Sequence, residues 1–372
     1  MRKWLAECRV SQFDDGKIAN ISPKNNNPSF FSGLLAGSVG WGDACIIVPY
    51  EMYRRYGDAR ILSENYEMMK KWYVFLEERA KKRPVNPVKR FKRNPYRRYT
   101  IETGVDYGEW CEPDVESTSA MRTPQGKVAT AFFAYSGRML AEIAAILGKE
   151  DDAAYYSKTA EMAKKAWRFI ATEDGKISSD RQADYVRALA FGLLDGDEAR
   201  QAAADLNELV KKCGYHLNTG FLSTPNLTRV LCDYGYEDTA YKLLLQDTRP
   251  GWLYEVKKGA TTIWETWDGI NEKGEVKASL NHYSYGAICG WILDAVCGIQ
   301  VSDGKIRICP HPDKVLGYAK ASYQSPYGRI ESGWKYDGDK VTYEFEIPSN
   351  THAEVILPDG RREVLDSGRY SL

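Results

Sequence analysis

The sequence predicts a mostly helical chain that ends in a small antiparallel β domain. Apolar residues recur at spacings of three and four through the first three quarters of the 372 residues. From about residue 300 the period drops to two. The helical part also repeats one punctuation, helix, short loop, helix, with longer loops at certain joints, which is the pattern of a helical barrel or solenoid.

Taken in order, WGDACIIVPYEMYRRYG (41–57) keeps the helical period until Gly57, and SENYEMMKKWYVFLEERAKKR (63–83) opens on Ser63 as a candidate cap. GKVATAFFAYSGRMLAEIAAILG (126–148) and DDAAYYSKTAEMAKKAWRFIA (151–171) pair around the turn at Gly148. DRQADYVRALAFGLLDG (180–196) pairs with ARQAAADLNELVKKCG (199–214), and TPNLTRVLCDYG (224–235) with DTAYKLLLQD (238–247). SYGAICGWILDAVCG (284–298) closes the series. The hairpins share no residue signature, which argues against a consensus repeat array. Beyond them KIRICPHP, VTYEFEIP (341–348) and HAEVILPDGRREVL (352–365) alternate apolar and polar, with DGD (337–339) and PDG (358–360) as turns. The expected role of this β domain is to cover and brace the helices.

Charge is balanced, 51 basic residues against 51 acidic, so no global field recruits nucleic acid or an anionic membrane. The eight cysteines are scattered and form no C-x-x-C, which points to a reducing, cytoplasmic compartment rather than a disulfide framework or zinc site. No apolar run is long enough to cross a bilayer, and MRKWLAECRV lacks the apolar region of a signal peptide. The 10 Trp and 25 Tyr exceed what a core needs. Rings with polar tips suit surfaces that meet sugars, because pyranose C–H faces pack on them while hydroxyls find hydrogen bonds. RAKKRPVNPVKRFKRNPYRR (79–98) holds ten basic residues, three prolines and no acid. It reads as a solvated irregular loop, with a clamp for an acidic polymer as the sharper alternative.

The chemistry-bearing residues gather at joints between helices. In TTIWETWDG, Glu265 sits between Trp264 and Trp267, where partial desolvation strengthens a carboxylate as a base; capping a neighbouring loop is its structural alternative. His282 in LNHYSYG suits orienting a hydroxyl or pairing with a carboxylate, or is a satisfied core residue. Asp43 in GWGDA stands where a helix begins and suits an N-cap. TGVDYGEWCEP (103–113) sets Asp106 and Glu109 beside Tyr107 and Trp110, and HLNTGFLSTP (216–225) is another polar-aromatic loop. In a barrel of hairpins such joints line one funnel, and carboxylates with indoles in a funnel suit glycoside hydrolysis. The G-x-S-x-G, Walker, G-x-G-x-x-G and H-E-x-x-H patterns are all absent from the sequence.

Together GWGDACIIVPYEMYRRYGD, TGVDYGEW, HLNTGFLSTPNLTRVLCDYG, LLLQDTRPGWLYEVKKGATTIWETWDG, LNHYSYGAICGW and SPYGRI resemble the bacterial α-L-rhamnosidases of glycoside hydrolase family 78, over about residues 1–335. The resemblance implies an (α/α)6-barrel catalytic domain, here residues 1–299 and N-terminally incomplete, followed by a β-sandwich domain, 300–372. It implies inverting hydrolysis of terminal α-L-rhamnose from glycosides or pectic oligosaccharides, with no cofactor and no metal in the chemistry. Residue by residue, Glu265 matches the family's general base and His282 a sugar-binding histidine. Trp41 and Trp110 match aromatic residues of the rhamnose pocket. Asp43, Asp106, Glu109 and Trp264 complete the expected substrate-binding set, with Glu109 standing where members commonly show aspartate.

One family motif is missing from the sequence. Members carry R-x-E-x-x-G-W-x-G-D upstream of GWGDA, its glutamate being the general acid, whereas residues 1–40 contain no such motif. The expectation is therefore the C-terminal portion of a larger rhamnosidase, with Met1 an internal start, the first barrel helices missing, and an open helical face awaiting that segment or a second copy of the chain. Two alternatives stand beside it: a rhamnose-binding or degenerate module without turnover, and an (α/α)6 glycosidase of other sugar preference.

Overall fold

The computed structural model describes residues 1–24, 36–84, 93–116 and 125–372. Its contacts divide it into two compact units. The first comprises Met1–Tyr53, Asp58–Cys213 and Asn218–Asn226; the second comprises Arg54–Gly57, Gly214–Leu217 and Leu227–Leu372.

The first unit is built from helices. α1 (Arg2–Ser11) buries Leu5 and Cys8; the periodicity reading passed over it because only one short apolar face marks it. α2 (Ala44–Tyr56) and α3 (Arg60–Lys81) fall close to the predicted spans. Ser63 is not the cap expected of it. α3 begins at Arg60, and Asp58 takes the Arg60 amide at 3.0 Å, while the Ser63 hydroxyl turns back to the Arg60 carbonyl. α4 (Gly126–Ile146) and α5 (Glu150–Ala171) form the hairpin predicted around Gly148. α4 is buried on nearly every face, as its run of Ala, Phe and Val requires, whereas α5 buries a single stripe. At Gly137 the Tyr73 hydroxyl of α3 lies where a Cβ would stand, so only glycine lets the two helices approach this closely. A two-residue hairpin, β1 (Thr172–Glu173) with β2 (Lys176–Ile177), precedes α6 (Gln182–Ala190) and α7 (Gly196–Lys212).

α8 (Thr224–Asp233) continues into the second unit, followed there by α9 (Glu237–Leu244) and the short α10 (Trp252–Lys257). The predicted helix 284–298 is a sequence of three winds: a 3₁₀ turn, α11 (Ile288–Trp291) and a π turn over Ile292–Val296. The C-terminal part is β-rich, as expected. β3 (Ile299–Ser302), β4 (Lys305–Ile308), β5 (Tyr318–Ser325), β6 (Gly328–Asp337), β7 (Lys340–Ile356) and β8 (Arg362–Ser371) make one six-stranded sheet. The segments 341–348 and 352–356 belong to a single strand, β7, whose register shifts between Ile347 and His352. That break lets one edge of β7 serve two partners, antiparallel β6 and then parallel β4. The sheet is thus mixed, not purely antiparallel. Ser332 and Trp334 on β6 donate to the Cys297 and Val296 carbonyls, fastening the sheet to the end of the helical series.

Basic stretch 79–98 does not form one loop. Arg79 and Lys81 end α3, Arg97 lies in a 3₁₀ turn, and residues 85–92 lie outside the described residues. Arg79 is buried and ion-paired, so it is withdrawn from any polymer clamp.

Candidate active site

In the first unit three rings stand in a row. Trp41, just ahead of α2, lies 4.6 Å centroid to centroid from Tyr107, and Tyr107 meets Trp110 edge-on at 5.1 Å. All three are partly exposed. Beside each ring in the chain stands a buried carboxylate: Asp43, Asp106 and Glu109 are 0%, 1% and 3% exposed.

Each carboxylate is consumed by donors from the fold. Asp43 accepts from the Gly40 amide at 2.7 Å, the Trp72 indole at 3.1 Å and the Ser136 hydroxyl at 2.5 Å. Burial pushes its pKa up, opposed by those three bonds. Asp106 takes a two-point bond from Arg79, at 3.0 and 2.8 Å, and the Val39 amide at 2.8 Å. Glu109 accepts from the amides of Gly220 at 3.1 Å and Ser223 at 2.8 Å, from the Ser223 hydroxyl at 2.9 Å, and from buried Arg187. Arg187 in turn reaches Asp184. The Phe221 amide donates to the Trp110 carbonyl at 3.0 Å. The loop carrying Trp110 and the loop 218–224, distant in sequence, are therefore latched by one ionic and hydrogen-bonded knot. Gly220 sits so close that a Cβ would lie 1.7 Å from the Glu109 carbonyl oxygen.

In the second unit the segment around Glu265 is held from two sides. The Glu265 amide donates to the Ser279 carbonyl at 2.9 Å, and the Ser279 amide donates back to Glu265 Oε2 at 3.3 Å. The Trp264 amide donates to Glu255 Oε2 at 3.2 Å. Trp264 and Trp267 are 1% and 2% exposed, Trp267 stacking on Tyr285 at 4.0 Å, whereas Glu265 is partly exposed. His282 is tied through its amide to the Ile263 carbonyl at 2.8 Å. Its Nδ1 accepts from the Ser284 amide at 3.3 Å, which leaves the ring proton of the neutral form on Nε2. The imidazole lies nearly parallel to Tyr283, itself 86% exposed.

These placements revise several expected roles. Asp43, Asp106 and Glu109 have no open carboxylate face to offer a sugar; the donors around them fix the backbone beneath the rings. Asp43 lies just ahead of α2, and its carboxylate bonds go to Gly40, Trp72 and Ser136 rather than to the amides of the first helical turn. Trp264 and Trp267 do not wall the Glu265 carboxylate. Trp264 and Trp267 are buried while Glu265 between them is partly exposed, so the indoles anchor the turn and Glu265 is left accessible. Trp41, Trp110, Glu265 and His282 are the expected residues that remain partly open. Tyr107, which joins the two expected tryptophans, and the buried Arg187 carry no expected role from the sequence, and Arg79 stands there only as part of the basic stretch 79–98. Among the described residues no group of three or more His, Cys, Asp or Glu is arranged to hold a metal ion.

Comparison with known proteins gives the following. Residues 1–296 match the family model described as the bacterial alpha-L-rhamnosidase 6 hairpin glycosidase domain, and 304–371 match the bacterial alpha-L-rhamnosidase C-terminal domain. A curated alpha-L-rhamnosidase of Formosa agariphila is 34% identical over 97% of the chain, which spans 38% of that relative. One from Streptomyces avermitilis is 34% identical over 96% of the chain and 32% of its own length. The crystal structure of Streptomyces avermitilis alpha-L-rhamnosidase complexed with L-rhamnose superposes with a TM-score of 0.84 at 31% identity, covering 100% of this chain and 36% of that one. Native rhamnosidase from Aspergillus terreus gives 0.85 at 27% identity, over 100% and 42%. The chain thus spans 32% to 38% of these curated relatives' length.

Proposed function

The chain belongs to the bacterial α-L-rhamnosidase family, and on that premise we propose that it contributes to an inverting glycosidase releasing terminal α-L-rhamnose, with Glu265 as the general base. The observation that carries this reading is the setting of Glu265. Its backbone and Oε2 are fixed by Ser279 and its neighbouring indoles are buried, while the carboxylate itself keeps solvent access.

In this reading Glu265 removes a proton from water as the water oxygen bonds to the anomeric carbon. The bond from that carbon to the leaving oxygen breaks, and a carboxylic acid protonates the departing oxygen. No residue of this chain is assigned that acid role. Nε2–H of His282 donates to a sugar hydroxyl; in the first unit the partly open rings of Trp41, Tyr107 and Trp110 are apolar faces of the kind that pack on the C–H edges of sugars. Asp43, Asp106 and Glu109 hold those rings in place and make no sugar contact, and Trp264 anchors the base. The natural substrates on this reading are rhamnose-terminated glycosides and oligosaccharides.

An aryl α-L-rhamnoside assay of the chain and of an N-terminally extended form tests the proposal. Glu265→Gln is expected to lower kcat by about 10²–10⁴-fold. Turnover that survives this substitution removes Glu265 from the base role. Preference for any other aryl glycoside removes the rhamnosidase assignment, and calorimetric rhamnose binding without hydrolysis in either form replaces the enzyme with a sugar-binding module.

A further inference from the structure

The short helix α10 does more than connect. Three of its six residues reach across to the strip that carries Glu265 and His282, each to a different point. The Trp252 indole donates to the Tyr285 carbonyl at 3.0 Å, the Tyr254 hydroxyl to the Ile270 carbonyl at 3.1 Å, and Glu255 Oε2 accepts the Trp264 amide at 3.2 Å. Glu255 is the unusual member. It is 1% exposed, and its second oxygen, Oε1, has no hydrogen-bond partner among the described residues. A carboxyl group is a costly way to accept one backbone N–H in an interior, since leaving a buried polar atom unsatisfied costs more than one such bond returns.

We propose that Glu255 is a positioning residue for Glu265: by gripping the Trp264 N–H, one residue before the base, it fixes the turn next to the point that Ser279 holds. The inference rests on the reading of Glu265 as the base, and it adds a residue to which that reading gives no role. The geometry is a two-sided clamp. Ser279 holds residue 265 through its amide and carboxylate. Glu255 holds residue 264, and the buried Trp264 ring prevents the segment from rolling between the two. Without the Glu255 side of the clamp, the 263–264 peptide is free to tilt ahead of the Ser279 bonds, and the carboxylate moves relative to its water. A misplacement of about 1 Å is worth on the order of 10²-fold in rate when it occurs at a reacting group.

The test separates this proposal from the rhamnosidase reading by measuring backbone protection as well as turnover. Amide hydrogen exchange on the 372-residue chain, resolved at Trp264, is compared among wild type, Glu255→Ala, Glu255→Asp and Glu255→Gln. Glu255→Ala and Glu255→Asp, whose side chains cannot reach the amide, are expected to speed exchange at Trp264 at least about tenfold while leaving the β6–β7 ladder unchanged. Glu255→Gln keeps an acceptor oxygen at the same reach and is expected to stay within about threefold. In the form that hydrolyses aryl α-L-rhamnoside, Glu255→Asp is expected to lower kcat by about 10–100-fold with KM within twofold, and Glu255→Gln to restore most of it. Unaltered exchange at Trp264 in Glu255→Asp overturns the proposal, as does a Glu255→Gln variant as impaired as Glu255→Asp. If Glu255→Ala unfolds the whole chain, the Asp and Gln pair decides alone. The expected exchange pattern without rhamnoside turnover in any form defeats the rhamnosidase reading and leaves the clamp standing.

Discussion

Replacing Glu109 with alanine removes four hydrogen bonds at once and leaves their donors behind. Gly220 and Ser223 amides, held at 3.1 and 2.8 Å, lose their acceptor, and the Arg187 guanidinium, 1% exposed as a side chain, keeps Asp184 as its carboxylate partner. Breaking a buried ion pair from one side costs roughly 3–5 kcal/mol, and each orphaned buried donor roughly 1–3 kcal/mol. The terms overlap, because loop 218–224 relaxes once it is released, so a total of about 4–6 kcal/mol follows. For a unit of this size that corresponds to a fall in Tm on the order of 10–20 °C. Urea unfolding followed by tryptophan fluorescence reads the change directly. Glu109→Gln keeps an oxygen for the two amides but turns an NH2 toward Arg187 and the Ser223 hydroxyl, so about half the penalty is expected. Glu109→Asp draws the carboxylate back by one methylene, about 1.5 Å, and cannot serve Arg187 and both amides together; its penalty should fall between the other two. A cost below about 1 kcal/mol for alanine, or equal costs for alanine and glutamine, refutes the ionic latch as the link between the two loops.

Gly220→Ala should be costly for a different reason: its Cβ meets backbone oxygens of Glu109 and Trp110 at 1.7 and 2.2 Å, which no side-chain rotation relieves. About 3 kcal/mol or more of stability should be lost, read as a shift in urea midpoint; a midpoint close to wild type means the loops can part without penalty. Glu255 makes stability pH-dependent, since burial pushes its carboxyl up to about 7 against the single opposing bond from the Trp264 amide. The folded chain keeps this proton while the unfolded chain releases it near the ordinary glutamate value, so stability falls as pH rises from about 4.5 to about 7, by up to roughly 3 kcal/mol. Urea midpoints measured from pH 5 to 8 should lose this slope in Glu255→Gln, and an unchanged slope assigns it elsewhere.

Periodicity made most of the helical hairpins legible, because α3, α4, α5 and α7 each bury a face long enough to repeat. It missed α1, which buries only Leu5, Cys8 and Ser11, and α10, whose six residues are too short for a pattern to repeat. It also split β7 in two, because Pro348 and Asn350, the latter with φ of 61°, look like a turn when no partner strand is in view. The candidate site was legible as a set of residue types and motifs. Its division of labour was not, because that depends on burial. Nothing in YGEW tells that Glu109 faces inward while Trp110 stays partly open, and Arg187 lies 78 residues from its partner.

That division follows a single physical rule in both units. A ring or carboxylate that meets substrate must keep part of its surface open, so its own side chain contributes little to holding itself still. The fixing force therefore has to act on the backbone beside it. Around Trp41 and Trp110 it comes from Asp43 and Glu109, each ionisable group within two residues of the ring and bonded to backbone amides, and around Tyr107 from Asp106 with the Val39 amide. Around Glu265 it comes from Ser279 and Glu255, again through amides. Asp106 and Glu109, ion-paired to arginines, suit this task, since bonds to an ionised oxygen are shorter and roughly twice as strong as neutral ones. The same choice explains why the buried acids are numerous here and why Arg79 and Arg187 are buried with two of them: once a carboxylate is taken inside to hold a loop, a cation offsets the desolvation that burial imposes. Asp43 and Glu255 bond to no cation among the described residues, and burial makes both hold their protons more tightly than usual.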